Sequence, residues 1–343
     1  MKPIFLLLVL VSSITLSQEN KALHISFSGF AETYYSYDFN NPNTDAKLPF
    51  MYNYNRHNEF NINIGLLRTK VEYENAYASL TFHAGTYVED NYANESTKII
   101  NEAFVGLYLD TDRKHTLEVG ILPSYIGFET AVSHNNLTLT RSILAENSPY
   151  FMTGVKYNYK SSEKWNYTFF ITNGWQRISK PQQDVVPAIG TQVVFKSDEN
   201  TTLNWSTFIG KEFNGTDYSM RYFSNIYYDK KWNDKWRTIA GFDYGWQNNS
   251  WFSPVLITQY SITSKWQTAG RVEYYADNNN VLIATNDPFK TLGFSLNFDY
   301  LPNSKVKLRT EARFLNSEEK LFETNAEPVN ANFFWTTSLS FEF

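Results

Sequence analysis

The 343-residue sequence contains no cysteine. Disulfide bonds and thiolate metal sites are therefore excluded, and so is a lipid anchor attached to an N-terminal cysteine. Charged residues make up only 19% of the chain, and the formal net charge is −5 at pH 7. This balance argues against nucleic acid as a partner, because surfaces that bind nucleic acid are basic.

Long apolar runs are missing as well. The stretch at residues 3–11, which follows Lys2, is too short for a transmembrane helix, which needs about 20 residues. Together with the small residues after it, this stretch predicts a signal peptide over residues 1–17 and a mature chain over residues 18–343. No later run is longer and the mean hydropathy is −0.43, so the sequence excludes membrane-spanning helices.

Aromatic residues are abundant, at 17% of the chain, and they follow a pattern. In the last segment, residues 332–343, Trp335, Leu339, Phe341 and Phe343 alternate with polar residues. Alternation with a period of two gives a strand one apolar face and one polar face. A hydrophilic average with apolar strand faces is typical of a transmembrane β-barrel, whose strands contact lipid on one side and an aqueous lumen on the other.

About sixteen alternating segments of this kind follow one another. They are residues 26–39, 60–73, 77–88, 102–109, 117–121, 150–159, 165–172, 190–196, 203–210, 220–228, 236–247, 255–262, 266–277, 292–300, 306–314 and 333–343. The connections after odd-numbered segments are mostly long, and residues 211–219 are one example. The connection at residues 248–253 is a short exception. The connections after even-numbered segments are short. This alternation predicts one all-β domain, an antiparallel up-and-down transmembrane barrel of about 16 strands with both termini in the periplasm.

The same period assigns charged residues to the lumen. Lys307, Arg309 and Arg313 share one face of a segment, and a basic residue facing lipid at mid-bilayer costs about 2–4 kcal/mol. This face must therefore point inward. The residues predicted to line the pore are Lys156, Arg237, Arg271, Glu273, Asp299, Arg309, Glu311 and Arg313. They either create a transverse field that filters polar solutes or form cross-strand ion pairs that stabilise the wall.

Several strings, in order along the chain, support a family resemblance. Among them are GFAETYYSYDFN (29–40), NEFNINIGLLR (58–68), GILPSYIGFET (120–130) and LTRSILAENSPYFMTGVKYNY (139–159). They resemble the OmpL-like β-barrel porin family of Gram-negative outer membranes, and the resemblance covers nearly the whole mature chain. It implies a porin-like barrel in the bacterial outer membrane, without a defined substrate. The composition, rich in aromatic residues and asparagine, is typical of a Bacteroidetes-type source.

The longest predicted loop, residues 122–149, contains Glu129, Arg141 and Glu146. It is the third outside loop in strand order, and in general porins the third outside loop folds into the lumen. Loops of this length are usually functional. We therefore expect these three residues to form a constriction; the alternative is a loop that packs over the rim.

The sequence contains no motif for catalysis. The five histidines are scattered, and no HExxH, GxSxG or P-loop string is present. No catalytic residue, metal site or cofactor is predicted.

These observations predict a porin with a water-filled channel for passive diffusion of small hydrophilic solutes, since barrels of 16–18 strands leave an aqueous lumen. One alternative is a closed structural or adhesion barrel that displays long extracellular loops, and a less favoured one is an outer-membrane hydrolase. The expected partners are outer-membrane lipids, small hydrophilic solutes or ions, the barrel-assembly machinery and further copies in a homo-oligomer, with no nucleic acid.

Overall fold

The computed structural model describes residues 22–44, 46–95, 97–180 and 186–343. The predicted signal peptide, residues 1–17, lies outside the described residues.

Sixteen antiparallel strands form one closed barrel. The strands are β1 (His24–Asp38), β2 (Glu59–Tyr73), β3 (Ala76–Ala84), β4 (Ile100–Tyr108), β5 (His115–Pro123), β6 (Phe151–Lys160), β7 (Trp165–Thr172), β8 (Ala188–Asp198), β9 (Thr201–Phe213), β10 (Tyr218–Lys231), β11 (Trp236–Gln247), β12 (Asn249–Ser261), β13 (Trp266–Asp277), β14 (Phe289–Asn303), β15 (Val306–Ser317) and β16 (Ala331–Glu342). Each strand pairs with its neighbours in sequence, and β1 pairs with β16 to close the barrel. The predicted fold class and strand number are confirmed.

Side chains alternate between the two faces of the wall. Along β15, Lys307, Arg309 and Arg313 are buried inside the barrel, whereas Leu308 and Phe314 are exposed on the outside. An apolar outer surface and a polar inner one follow from the period of two.

Two short α-helices and one 3₁₀-helical turn, Ser133–Asn135, lie in the connections among the described residues. The predicted strand 77–88 ends early, because Gly85 has a φ of 134° and helix α1 (Thr86–Asn91) follows it. Only glycine adopts such a conformation without strain. The second helix, α2 (Ile143–Glu146), lies in the connection between β5 and β6. None of the helices in the described part of the chain is long and apolar enough to span a membrane.

The connections differ between the two ends of the barrel. Those after β1, β3, β5, β7, β13 and β15 are long and lie at one end, the long-loop end; the tight turns lie at the other, the short-turn end. Two predicted loops are wrong in extent. The connection after β9 is only residues 214–217, and the one after β11 is the single residue Asn248, whose positive φ of 63° makes a tight turn.

Several long loops place side chains in the barrel interior, among them Ile283 and Phe322, and two of these loops carry the candidate site. These two are loop L1, residues 46–58 between β1 and β2, and loop L3, residues 124–150 between β5 and β6. Phe50 of L1 and Ile143 of L3 belong to an interior apolar cluster with the wall residues Phe208, Trp251 and Phe289. This cluster fills part of the lumen.

Candidate constriction site

Loop L3 is a packed part of the barrel interior. Near its start, the Tyr125 hydroxyl donates to the Thr207 carbonyl oxygen (2.6 Å), and the Gln192 side chain donates to the Tyr125 carbonyl oxygen (2.7 Å). Further along, Leu139 and Ile143 are fully buried. Removing apolar surface from water stabilises by about 25 cal/mol per Å², so these side chains favour the inward position of the loop.

Cationic side chains of the wall hold the middle of L3 by its carbonyl oxygens. The donor and acceptor atoms are Arg309 Nη1 and Ser133 O (2.5 Å), Arg271 Nη1 and Thr140 O (2.6 Å), Arg313 Nη1 and Arg141 O (2.7 Å), and Lys307 Nζ and His134 O (2.6 Å). A buried carbonyl in an irregular loop needs a donor from elsewhere, and a charged donor makes the stronger bond. The wall therefore supplies the hydrogen bonds that the loop backbone lacks.

Acidic side chains of the wall complete this arrangement. Glu311 accepts from Thr140 N (2.6 Å) and Arg271 Nη2 (2.8 Å). Glu273 accepts from Ile143 N (2.7 Å) and Arg313 Nη2 (2.5 Å). Asp299 accepts from Arg309 Nε (2.8 Å). Buried charges are stable only when they are paired and hydrogen-bonded. We call the six charged wall residues, Arg271, Glu273, Asp299, Arg309, Glu311 and Arg313, the anchor cluster.

The eight residues predicted to line the pore therefore lie in two kinds of place. The anchor cluster points into the barrel but is buried beneath L3, so its side chains contact the loop rather than lumen water. The other two make part-exposed ion pairs with neighbouring strands, Lys156 with Glu118 (2.5 Å) and Arg237 with Asp229 (2.6 Å).

Two of the predicted constriction residues, Arg141 and Glu146, both contact Tyr150 at the C-terminal end of L3. The Arg141 guanidinium lies over the Tyr150 ring, 3.5 Å from its centroid. The Tyr150 hydroxyl donates to Glu146 (3.0 Å), which also accepts from the backbone N–H of Tyr52 in L1 (2.9 Å). We call Arg141, Glu146 and Tyr150 the constriction layer; it joins L1 and L3 at one level.

The third predicted constriction residue, Glu129, fixes the start of helix α2. Its Oε2 accepts from the N–H of Ser142 (3.1 Å) and from the Ser142 hydroxyl, and that hydroxyl in turn accepts from Ala145 N (3.2 Å). Burial raises the pKa of Glu129, while Arg271 and Ser142 act in the opposite direction. Ser142 at the N-cap orients the helix that carries Glu146.

The inward position of L1 was not predicted from the sequence. The Tyr54 hydroxyl donates to Glu32 of β1 (2.7 Å), and the Ser133 hydroxyl of L3 donates to the same carboxylate (2.6 Å). Leu48 and Phe50 are buried in the interior. The available signal was this apolar pair in a loop that would otherwise contact water.

Two cavities lie on opposite sides of the constriction layer. Cavity A, about 470 Å³, lies along β1–β4 and reaches the short-turn end; the residues that line it include Ser28, Arg68, Glu102, Glu129, Thr130, Arg141 and Tyr150. Cavity B, about 420 Å³, lies among the long loops; the residues that line it include Tyr52, Glu95, Glu146 and Arg177. Arg141 and Tyr150 face cavity A and Glu146 faces cavity B, so the constriction layer separates them.

Sequence comparison assigns this barrel to a family. The family model described as "Putative beta-barrel porin-2, OmpL-like" matches residues 24–343, which include all sixteen strands. The chain belongs to this porin family. The predicted family is confirmed, and the porin is a channel protein of the bacterial outer membrane. No curated protein matches the porin in sequence.

Solved structures of outer-membrane channels share the fold of the porin. The outer-membrane channel DcaP of Acinetobacter baumannii has a TM-score of 0.64 at 12% identity, over 96% of this chain and 100% of that one. OmpT of Vibrio cholerae in its trimer form has a TM-score of 0.61 at 9% identity, covering 94% of this chain and 100% of that one. The anion-selective porin from Comamonas acidovorans has the same score, identity and coverage. At these identities the similarity establishes the fold alone.

Lys47 makes the position of L1 sensitive to pH. Its Nζ donates to the Ser36 hydroxyl (2.5 Å) and lies 4.2 Å from the centroid of the Phe334 ring. Burial lowers the pKa of Lys47 from 10.5 to about 7; Asp38 opposes this shift. If L1 left the barrel, the amine would regain its ordinary pKa. Between pH 7 and 10.5, Lys47 therefore binds more protons when L1 is outside the barrel than when L1 is inside. The inward position of L1 thus gains stability as the pH rises, and it is least stable below pH 7.

We therefore expect a spin label at Asn43→Cys, just before L1, to become less mobile as the pH rises from about 6 to about 9. The chain has no other cysteine that could react with the label. Electron paramagnetic resonance of the folded porin in detergent measures the mobility. Lys47→Met should remove the pH dependence. A label whose mobility varies equally with pH in both proteins would contradict the role of Lys47.

Proposed function

We propose that the porin lets small hydrophilic solutes and ions diffuse passively along a passage beside L3, through cavity A, the constriction layer and cavity B. The observation that carries the proposal is the lining of cavity A, which extends from Glu342 near the short-turn end to Asn101 and Pro123 at the long-loop end, with cavity B beyond the constriction layer among the long loops. The interior apolar cluster fills other parts of the lumen, and on the β1–β2 side a second apolar cluster, which includes Phe30, Ile64 and Leu66, lines cavity A along the passage. No catalytic residue or cofactor takes part in this function.

Residues 1–17 act in this proposal as a signal peptide that directs export. The short-turn end, with both ends of the barrel chain, then faces the periplasm, and the long loops face the exterior. This orientation follows the usual arrangement of outer-membrane barrels, in which periplasmic turns are short. Insertion would involve the barrel-assembly machinery and outer-membrane lipids.

We also propose a homo-oligomer, with β1–β6 facing the other subunits. The chain has no tryptophan before Trp165, so these strands have none, whereas Trp205, Trp236 and Trp266 are exposed on the outer face of later strands. Tryptophan is enriched where a barrel meets the membrane–water interface. The outer face of β1–β6, which lacks tryptophan, is therefore suited to contact another subunit. A single-subunit mass by sedimentation in detergent would contradict this part of the proposal.

Planar lipid bilayers test the channel function. The purified, folded porin should produce discrete ion-conducting steps in KCl, and liposomes that contain it should swell in small sugars but not in large ones. Protein that is folded, as judged by its heat-dependent migration in gels, and shows no conductance above the lipid background would overturn the proposal.

The closed structural barrel remains the second candidate, on a specific observation. Hydrogen bonds from Tyr52, Asn53 and Tyr150 all converge on Glu146, so L1 and L3 are joined at the constriction layer. A layer held in this way could block the lumen. The bilayer measurement separates the two functions, because only the porin function predicts ion-conducting steps.

A further inference from the structure

Arg141 is a buried cation that forms no ion pair with any described residue. Its side chain is only 3% exposed, and its Nη2 donates to the Ala145 carbonyl oxygen. Its Nε and Nη1 have no hydrogen-bond partner, and no carboxylate in the described part of the chain lies within 4.0 Å of the guanidinium. A guanidinium carries five N–H donors; the one on Nε and the two on Nη1 are unused, and Nη2 uses one of its two.

The arginines of the anchor cluster differ in this respect. Arg309 and Arg313 each pair with a buried carboxylate, Asp299 and Glu273. Burying an unpaired charge is costly, because the protein interior does not replace the hydration that the charge loses. Arg141 lines cavity A, so the group that completes its pairing can come from that cavity.

The acids nearest to Arg141 in the loop are engaged elsewhere. Glu146 accepts from Tyr52, Asn53 and Tyr150. Glu129 uses its Oε2 for Ser142. The Tyr150 ring, 3.5 Å from the Arg141 guanidinium carbon, holds the guanidinium plane at the edge of the cavity.

A third atom of L3 without a hydrogen-bond partner among the described residues is Oε1 of Glu129. Its closest cation, Arg271 Nη1, is 4.0 Å away, beyond hydrogen-bond distance. Glu129 lines cavity A as well. Arg141 and Glu129 therefore both line cavity A, and these two residues of L3 carry unbonded donors and one unbonded acceptor.

We infer that cavity A binds a small solute of the amino-acid or hydroxy-acid class, with its carboxylate on Arg141 and its amino or hydroxyl group donating to Glu129 Oε1. The volume of about 470 Å³ accommodates such a molecule. The inference rests on the proposed channel function, for which it names the solute class. It makes Arg141 and Glu129 residues that bind solute during passage.

Calorimetry with three probes tests the inference on the folded porin in detergent. Alanine offers a carboxylate and an ammonium group, lactate a carboxylate and a hydroxyl group, and propionate a carboxylate alone. The wild-type protein should bind alanine or lactate more tightly than propionate, and the comparison of the first two identifies which donor Glu129 prefers. Equal affinity for all three would overturn the role of Glu129.

Arg141→Gln should weaken binding of the preferred probe by about tenfold or more, since a hydrogen bond to a charged group is lost. Arg141→Lys keeps the charge and should weaken binding less. The matched control is Arg56→Gln, which changes an arginine outside the linings of both cavities that is already paired, with Asp90 at 2.7 Å. It should change the affinity by about twofold at most, as is usual for part-exposed pairs. Similar losses for Arg56→Gln and Arg141→Gln would contradict the site.

The two proposals fail in different ways. KCl conductance of the same preparations in planar bilayers reports the channel function, whereas calorimetry reports the site. Conductance without binding of any probe would overturn the inference and leave the channel function standing. Binding without conductance would retain the site and overturn the channel function. Heat-dependent gel migration verifies that each variant is folded before either measurement.

Discussion

Shortening L3 is expected to increase the single-channel conductance of the porin several-fold, since a barrel of sixteen strands has a wide lumen once nothing fills it. In the variant, a short Gly-Ser linker replaces residues 126–147. Tyr125 and Tyr150 stay in place, so the connection to the wall at Thr207 is kept. The segment removed contains Arg141, Glu146 and the apolar residues that fill the space between the walls. The increase is measured as step height in planar bilayers.

The control for this variant replaces residues 215–217, in the exposed connection between β9 and β10, with glycine and serine. Its conductance should equal that of the wild type. Barrel strands are unchanged in both variants, so both should migrate in gels as folded protein. A shortened L3 that leaves the step height unchanged would show that the loop does not limit the passage.

Arg309→Met is expected to lower the free energy of unfolding by about 3–5 kcal/mol, the usual effect of removing one partner of a buried ion pair. Asp299 would be left buried without its cation, and the Ser133 carbonyl oxygen would lose its charged donor. Methionine fills a similar volume, so the loss reports charge pairing rather than an empty space. Urea unfolding followed by tryptophan fluorescence measures the change.

Arg237→Met is the matched control for this prediction. Arg237 also pairs with an aspartate of the neighbouring strand, Asp229 at 2.6 Å, but its side chain is 43% exposed. Exposed pairs contribute about 0–1 kcal/mol, because water and salt screen them. Equal losses for the two variants would contradict the view that burial under L3 makes the anchor cluster important for stability.

The wall of the barrel was predictable from the sequence because its rules are local. Alternation over about ten residues identified each strand, and the strands at Trp165–Thr172, Trp236–Gln247 and Trp266–Asp277 have the predicted bounds. The predicted bounds were wrong where the conformation of a single residue determines the course of the backbone. Gly85 ends β3 early, and Asn248 allows a tight turn in place of a loop.

The site was less predictable, because its contacts join distant parts of the chain. Arg309 and Ser133 are 176 residues apart, and Arg271 and Thr140 are 131 residues apart. The sequence pattern gave the direction of these arginines but contained no signal for what covers them. The free-energy cost of placing a charge against lipid predicts that these arginines point inward, whether they then contact water or a loop. The length and position of L3 predicted that it folds inward, and the apolar residues Leu48 and Phe50 were the available sign that L1 leaves the solvent as well.

A thiol at position 130 gives the most direct measurement of the passage beside L3. Thr130 lines cavity A and is exposed, and the chain has no native cysteine, so Thr130→Cys places a single reactive group in the proposed path. Ser162→Cys, in the exposed turn between β6 and β7, is the control. A bulky charged methanethiosulfonate reagent should reduce the conductance of single Thr130→Cys channels in one step and leave Ser162→Cys channels unchanged. Complete modification of Thr130→Cys, verified by mass spectrometry, with an unchanged conductance would contradict a passage through cavity A.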